Sequence, residues 1–479
     1  MKIPQQGMAS DALFRALESF RDDDVKWRSG RTWAYVYDPG QEAEQVIKQA
    51  FMMYLSENAL DPTAFPSAMR LENEVVGMLA THVHGDHDVV GNFTSGGTES
   101  IMLAVKAARD YCRATRPHIR EPEMILPVTA HAAFQKAAHY LDVTPVLVPV
   151  DPVSFRADPE AMRRAITPNT ILLVGSAVSY AHGVVDPIRA LGELARAHDL
   201  LLHVDACMGF LLPYYRRLGV DIPEFGFDVP GVTSISMDLH KYAFAAKGAS
   251  TVLYRSKTLR RHQIYACAQW SGYTVINAAV QSTKSGGPVA AAWAALHFFG
   301  DDGYLELARR ALDATRRVCD GIARIDGLRV LGQPDMNLVA FTSDSVNVFH
   351  VIDEMKDRGW YVQPQLAFET SKENIHLSIN PAGARWVDAF LTDLRACVET
   401  AKTLPSGDAA AGLQEMLRGL DPDQLSDETV EQMLGMVGAG SGLPTRMAGI
   451  NEMLNLLPPR LRERLLIEYL NQLYTPPRS

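Results

Sequence analysis

The chain has 479 residues, 47% of them hydrophobic and 21% charged, with a formal net charge of −10 at neutral pH. That length buries a large core and fits two domains of ordinary size, while the acidic balance excludes a nucleic-acid-wrapping surface, which needs clustered Lys and Arg. No stretch approaches the ~18 uncharged apolar residues of a spanning helix, the N-terminus lacks a signal-like apolar core, and five scattered cysteines form no C-x-x-C pair, so the expectation is a cytoplasmic enzyme without a cysteine metal site.

Residues 1–60 read as an N-terminal helical segment. From Glu42 to Ala80, EAEQVIKQAFMMYLSENAL and AMRLENEVVGMLA carry helical spacing around the Pro-punctuated loop DPTAFP. Next comes THVHGDHDV, where His82, His84, Asp86 and His87 stand in the H-x-H-x-D-H order of metallo-β-lactamase-like hydrolases. Such a hydrolase would place that run directly after a buried strand, but a helical pattern precedes it, so it is read as a polar loop and no metal is expected. TSGGTES is a Gly-rich turn opening a helix. The apolar runs EMILPV, TPVLVPV, NTILLVGSAVS, DLLLHVDAC, VTSISM and ASTVLYR then alternate with helical stretches. Short apolar runs without alternation fit strands buried on both faces, and helices between them give a mainly parallel sheet.

Residues 61–300 are therefore expected to form a large α/β domain. A long helix from about Pro288 to Ile325 leads to a smaller α/β domain over 301–404, with strands at GLRVLG, MNLVAFTS and IHLSIN and a helix at VNVFHVIDEMKDRG. Residues 405–479 read as a linker and a helical tail.

Three segments fall at expected carboxyl ends of buried strands, where open α/β sheets bind ligands. Gly96 and Gly97 let backbone approach a ligand closely, and Thr98 with the helix N-terminus offers donors to a phosphate. Asp205 closes a strongly apolar run, so it either faces a cation or strong donor or caps the next helix. Lys241 follows a buried strand, just after His240, and desolvation there would lower its pKa toward that of a nucleophile. Together these groups suit pyridoxal phosphate: phosphate on a helix N-terminus, a carboxylate on the pyridine nitrogen and a lysine on the aldehyde. His131, in VTAHAAFQKAAHY, would stack on the ring, although alone it reads as a packed or capping histidine.

Over Tyr37–Leu404 the ordered motifs TSGGTES, HAAFQKAAHY, LLVGSAVSYAHGVVDPI, LHVDACMGF and VPGVTSISMDLHKYAFAAKGAS resemble the sphingosine-phosphate lyases, within the larger pyridoxal-dependent decarboxylase group. The resemblance implies the type I pyridoxal-phosphate enzyme fold, with a mainly parallel seven-stranded-type sheet, and a homodimer with active sites at its interface. It implies that Lys241 is the Schiff-base lysine, Asp205 the pyridinium partner and His131 the stacking group. Gly97, Thr98 and His240 would hold the cofactor phosphate, with Gly96 and Thr283 beside them. Tyr37 and Lys247 match positions near the substrate. Two departures stand out: Asp61 replaces a histidine expected near the substrate phosphate, and WSGYTVINAAVQSTKSGG carries Thr283 and Lys284 where the lyases have Ser and Arg. The leading expectation is retro-aldol cleavage of a phosphorylated long-chain amino alcohol to a fatty aldehyde and phosphoethanolamine. The alternative is an amino-acid decarboxylase using the same cofactor.

Overall fold

The computed structural model describes residues 2–404 and 445–476. Seven strands form the central sheet: β1 (Val90–Thr94), β2 (Glu123–Pro127), β3 (Thr144–Val148), β4 (Thr170–Ser176), β5 (Leu201–Asp205), β6 (Ser234–Asp238) and β7 (Ser250–Tyr254). They lie in the order β1-β7-β6-β5-β4-β2-β3. Strand β7 runs antiparallel to its neighbours β1 and β6, and the remaining pairs are parallel. Every residue of β4, β6 and β7 is buried, β4 along a continuous apolar run and β6 although its SISMD alternates polar with apolar residues. This is the α/β architecture expected from the alternating pattern.

Strand β1 carries no apolar run, and the sequence pattern alone missed it. Its VGNFT contains a glycine because β1 is pressed onto β7: a Cβ on Gly91 would lie 2.5 Å from the Val252 carbonyl oxygen. Also unforeseen is a small hairpin of β8 (Tyr265–Cys267) and β9 (Val275–Asn277).

The long helix Gly286–Ile322, kinked at Gly300 where φ is 59°, leads into the smaller domain. Its sheet holds β10 (Leu328–Val330), β11 (Leu338–Ser343), β12 (Gln363–Gln365) and β13 (Asn374–Ser378), in the antiparallel order β10-β11-β13-β12. The N-terminal stretch crosses to this sheet. Trp33 is fully buried there, stacked on Phe390 at 4.2 Å and edge-on to Trp360. Its backbone is clamped on both sides, donating to Tyr361 O at 2.9 Å and accepting from Ser378 N at 2.7 Å. This anchor carries Tyr35 and Tyr37 toward the edge of the large sheet.

Much of the expected linker and tail lies outside the described residues. Helix Ala448–Leu456 docks on helix Val348–Asp357, where the buried Asp353 carboxylate accepts Met447 N and Ala448 N, each at 2.9 Å. Among the described residues no helix is long and apolar enough to cross a membrane.

Trp33→Ala removes an aromatic that joins the N-terminal stretch to the small-domain core. It should lower stability by about 3–5 kcal/mol, read as a reduced denaturation midpoint; a shift under about 1 kcal/mol would contradict that packing.

Candidate active site

Strands β4, β5 and β6 end together, and the Gly-rich turn after β1 arrives at the same edge. They enclose a cavity of about 370 Å³ whose wall includes Gly96, Gly97, Thr98, His131, Tyr180, Asp205, Asp238, His240 and Lys241. Helix Gly97–Thr115 aims its N-terminus into this space, giving free N–H groups and the positive end of a dipole. Glycine at position 97 is required by contact: a Cβ would lie 2.9 Å from both Asp238 carboxylate oxygens and from Cys207 Sγ. Glu99 locks the turn, accepting from Ser95 N and Oγ and from Val280 N, each at 2.6 Å.

Asp205 is held from behind. Its Oδ1 accepts from Cys207 N at 3.0 Å and from Ser236 Oγ at 3.3 Å. Its Oδ2 has no hydrogen-bond partner among the described residues and is left for a donor in the cavity. Ser236 Oγ in turn lies 3.2 Å from Nε2 of His203, which burial keeps neutral by lowering its pKa to about 4. Pairing of β5 with β6 sets Asp205 opposite Ser236. His131 is exposed to the cavity and accepts from Ala133 N through Nδ1 at 3.1 Å. His240 accepts from Ala249 N at 3.2 Å through Nδ1.

Lys241 departs from expectation. Burial alone would lower its pKa, but Asp238, at 2.9 Å and 1% exposed, overrides that effect and raises it. The same contact holds the buried Asp238 below the usual carboxylate range. The lysine is an ammonium braced by a carboxylate three residues earlier at the strand end, not a neutral amine in a dry cleft. That spacing was visible in MDLHK.

Tyr37 and Lys247 stand beside the cavity. The Tyr37 hydroxyl lies 3.9 Å from Sδ of Met208, a wall residue, and burial raises its pKa, so it stays protonated. Lys247 Nζ sits 4.7 Å from the Tyr37 ring centre and donates to Tyr35 O and His240 O at 3.2 and 3.4 Å. Although Lys247 keeps contact with solvent, crowding by these neighbours and repulsion from Lys241 lower its pKa to about 8.

Comparison with known proteins agrees with this geometry. The pyridoxal-dependent decarboxylase conserved domain matches residues 23–344, and a C-terminal domain of pyridoxal-dependent enzymes matches 411–472. This chain belongs to the pyridoxal-dependent decarboxylase family. It is 42% identical to a sphingosine-1-phosphate lyase of Arabidopsis thaliana, over 86% of this chain and 76% of that one. The solved sphingosine-1-phosphate lyase of Burkholderia pseudomallei superposes with a TM-score of 0.80 at 36% identity, covering 87% of this chain and 96% of that one. A probable L-aspartate decarboxylase of Pyrococcus furiosus is 34% identical over 75% of this chain and 94% of its own length. Within its family the chain sits with the sphingosine-phosphate lyases, and it is a pyridoxal-phosphate-dependent lyase.

The residues present fit that cofactor. The cradle at Gly96 and Gly97 is open where a Cβ at 97 would fill it, and the cavity offers amide donors, an available carboxylate oxygen and one lysine. The structure brings Gly96, Gly97, Thr98, His131, Asp205, His240 and Lys241 to one cavity, with Tyr37 and Lys247 at its side. It does not bring Thr283, which sits on an exposed turn before the helix at Gly286 and outside the cavity wall. Asp61 also differs from expectation. It is exposed and turned inward on its own loop, accepting from Thr63 N and Oγ1 at 2.8 and 2.6 Å, which lowers its pKa. Lys284 pairs with Glu72 at 2.6 Å. Of the H-x-H-x-D-H run, His82 stacks on Phe210 and donates to its carbonyl at 2.8 Å, while His84, Asp86 and His87 face outward. Among the described residues no group of three or more His, Cys, Asp or Glu could share an ion. Sequence reasoning missed Tyr180, Ser236 and Asp238; only Asp238 had a local signal.

Asp238→Asn removes the charge that keeps Lys241 protonated. Uptake of pyridoxal phosphate at neutral pH, followed by visible absorbance, should quicken about tenfold for each unit the lysine pKa falls. Uptake with an unchanged rate and pH dependence would contradict this account.

Proposed function

We propose that this enzyme cleaves the C2–C3 bond of a phosphorylated long-chain amino alcohol, giving a fatty aldehyde and phosphoethanolamine. The observation that carries the reading is the joint presence of a cavity that fits the cofactor and, beside it, the Tyr37–Lys247 pair, in a chain related over most of its length to sphingosine-1-phosphate lyases.

When bound, pyridoxal phosphate supplies an electron sink for the pair left on the amine-bearing carbon. Lys241 would hold its aldehyde, and Gly96, Gly97, Thr98 and His240 its phosphate. Asp205 Oδ2 would keep a proton on the ring nitrogen, with Ser236 and His203 fixing the carboxylate behind it. His131 would pack over the ring. Breaking C2–C3 requires a group that takes the proton from the C3 hydroxyl. Lys247 suits that task, since its lowered pKa leaves a large neutral fraction near pH 8. Tyr37, held protonated, would orient that oxygen as a donor.

We also propose a homodimer. Trp270, Tyr273, Ile276 and Val280 on and beside the β8–β9 hairpin are exposed large apolar groups, which support a protein contact there. A second copy would then deliver Thr283 to the cofactor phosphate. A cytoplasmic setting is supported by five free cysteines.

The second reading, amino-acid decarboxylation, is favoured by the similarity to the aspartate decarboxylase. Supplying the purified holoenzyme with sphingosine phosphate and with a panel of amino acids, and measuring aldehyde and carbon dioxide separately, decides between them. Aldehyde is expected, and Lys241→Ala should abolish both it and the visible band. Carbon dioxide without aldehyde would transfer the case to the decarboxylase.

Lys247 accepts a proton only when neutral, so kcat/KM should fall about tenfold per unit as pH drops below its pKa. Lys247→Arg should cost about a hundredfold or more and remove that limb of the profile. A variant keeping the wild-type profile would exclude Lys247 as the base.

A further inference from the structure

A second cavity, of about 340 Å³, adjoins the cofactor site and shares His131 and Tyr180 with it; none of its lining residues is Asp, Glu, Lys or Arg. One wall is the segment after β12, which contributes Leu366, Phe368, Thr370 and Ser371. Phe368 and Ser371 exchange two backbone hydrogen bonds of 2.9 Å around a tight turn. Within it Glu369 has φ of 51°, a left-handed conformation that a residue other than glycine adopts at a cost. Two side chains tie this segment to the large domain. Ser371 Oγ lies 3.0 Å from His182 Nε2, and Gln363 Oε1 accepts from the Tyr180 hydroxyl at 2.5 Å.

The segment is also held from its other side, by the C-terminal unit. Asn455, on helix Ala448–Leu456, accepts from Ala367 N through Oδ1 at 2.6 Å. Ala367 stands between Leu366 and Phe368, so the bond is made in the middle of the wall. Asn455 is fixed in turn, because its helix is locked onto the small domain. Arg446 pairs with Glu354 and Asp357 at 2.5 and 2.7 Å, and Lys356 donates to Thr445 O at 2.8 Å. The Asp353 carboxylate accepts Met447 N and Ala448 N, and Glu452 lies 3.2 Å from His350.

We propose that Asn455 is a positioning residue of the active site, which sets, through Ala367, the wall beside His131 and Tyr180. The C-terminal unit is then a working part of the enzyme and not an appendage. Without the Asn455 oxygen, the partly buried Ala367 N loses its acceptor, and an unmet donor costs more than the bond itself contributes. The segment shifts toward water, and Gln363 and Ser371 no longer hold Tyr180 and His182 in place. Lys241, Asp205 and the Gly96–Gly97 turn belong to the large sheet and keep their geometry. The kinetic consequence rests on the lyase reading, whereas the hold on the segment does not.

The test compares Asn455→Leu, which removes the acceptor, with Asn455→Asp, which keeps one, both as full-chain holoenzyme. Amide hydrogen exchange over residues 363–371 should quicken about tenfold in the leucine variant and stay near wild type in the aspartate variant. KM for sphingosine phosphate, read by aldehyde release, should rise about tenfold in the leucine variant alone, with the visible cofactor band kept. Should that variant fold poorly, Asn455→Ala removes the same oxygen without added bulk. Unchanged exchange would overturn the hold on the segment. Faster exchange with an unchanged KM would reduce the bond to a structural one and overturn the positioning role. Carbon dioxide from an amino acid in place of aldehyde would overturn the lyase reading, and KM for that amino acid would then decide the role of Asn455 by the same comparison.

Discussion

The ion pair between Lys241 and Asp238 sets the terms for the rest of the site. Asp238 ends a fully buried strand and is 1% exposed, so its charge is tolerable only against a cation. Lys241 supplies that cation from three residues on, and the backbone between them must turn sharply at the strand end. Bringing the pair under the N-terminus of the helix at Gly97 leaves no room for a side chain there. One charged contact thus couples strand β6, the Gly-rich turn and the lysine. Pairing of β6 with β5 then places Asp205 against Ser236, so the two carboxylates reach the cavity on neighbouring strands with different partners. Asp238 pairs with the lysine through Oδ2, whereas Asp205 is held from behind through Oδ1.

The two domains divide the remaining labour. The large sheet supplies the charged cofactor cavity. The small domain acts through two arms: the Trp33 anchor, which carries Tyr35 and Tyr37, and the segment after β12, which closes the uncharged cavity beyond His131 and Tyr180. A change in small-domain packing would therefore be felt at the reacting bond, because Tyr37 touches Met208 and Lys247 while Tyr180 is tied to Gln363.

Much of this was legible in the sequence wherever one residue's environment is set locally. Short apolar runs mark β2 to β7, although β7 runs antiparallel and β3, at the sheet edge, is mostly exposed. Asp205 and Lys241 are recognisable because each follows such a run, and Gly97 because it lies in a Gly-rich turn that opens a helix. What escaped was set by distant partners. Strand β1 is held by β7 across more than 150 residues of chain and needs glycine, so it carries little strand signal. Trp33 is a core residue of a domain that begins nearly 300 residues later. The Lys241 pKa is set by Asp238 at i−3 against desolvation, a balance that burial alone does not reveal. Asp61, which stands where the lyases carry a histidine, accepts through Oδ1 from its own turn. Thr283 carries a motif position that one chain does not bring to the cavity.

The central claim is that the bond broken lies between the amine-bearing carbon and its hydroxyl-bearing neighbour, with the electron pair left on the former. Turnover of a phosphorylated long-chain amino alcohol in heavy water tests it directly, with both products examined by mass spectrometry. The account predicts phosphoethanolamine carrying one solvent deuteron on the carbon next to nitrogen, and a fatty aldehyde with none at its carbonyl carbon. Phosphoethanolamine without deuterium, or a product that retains the whole carbon chain, would contradict it.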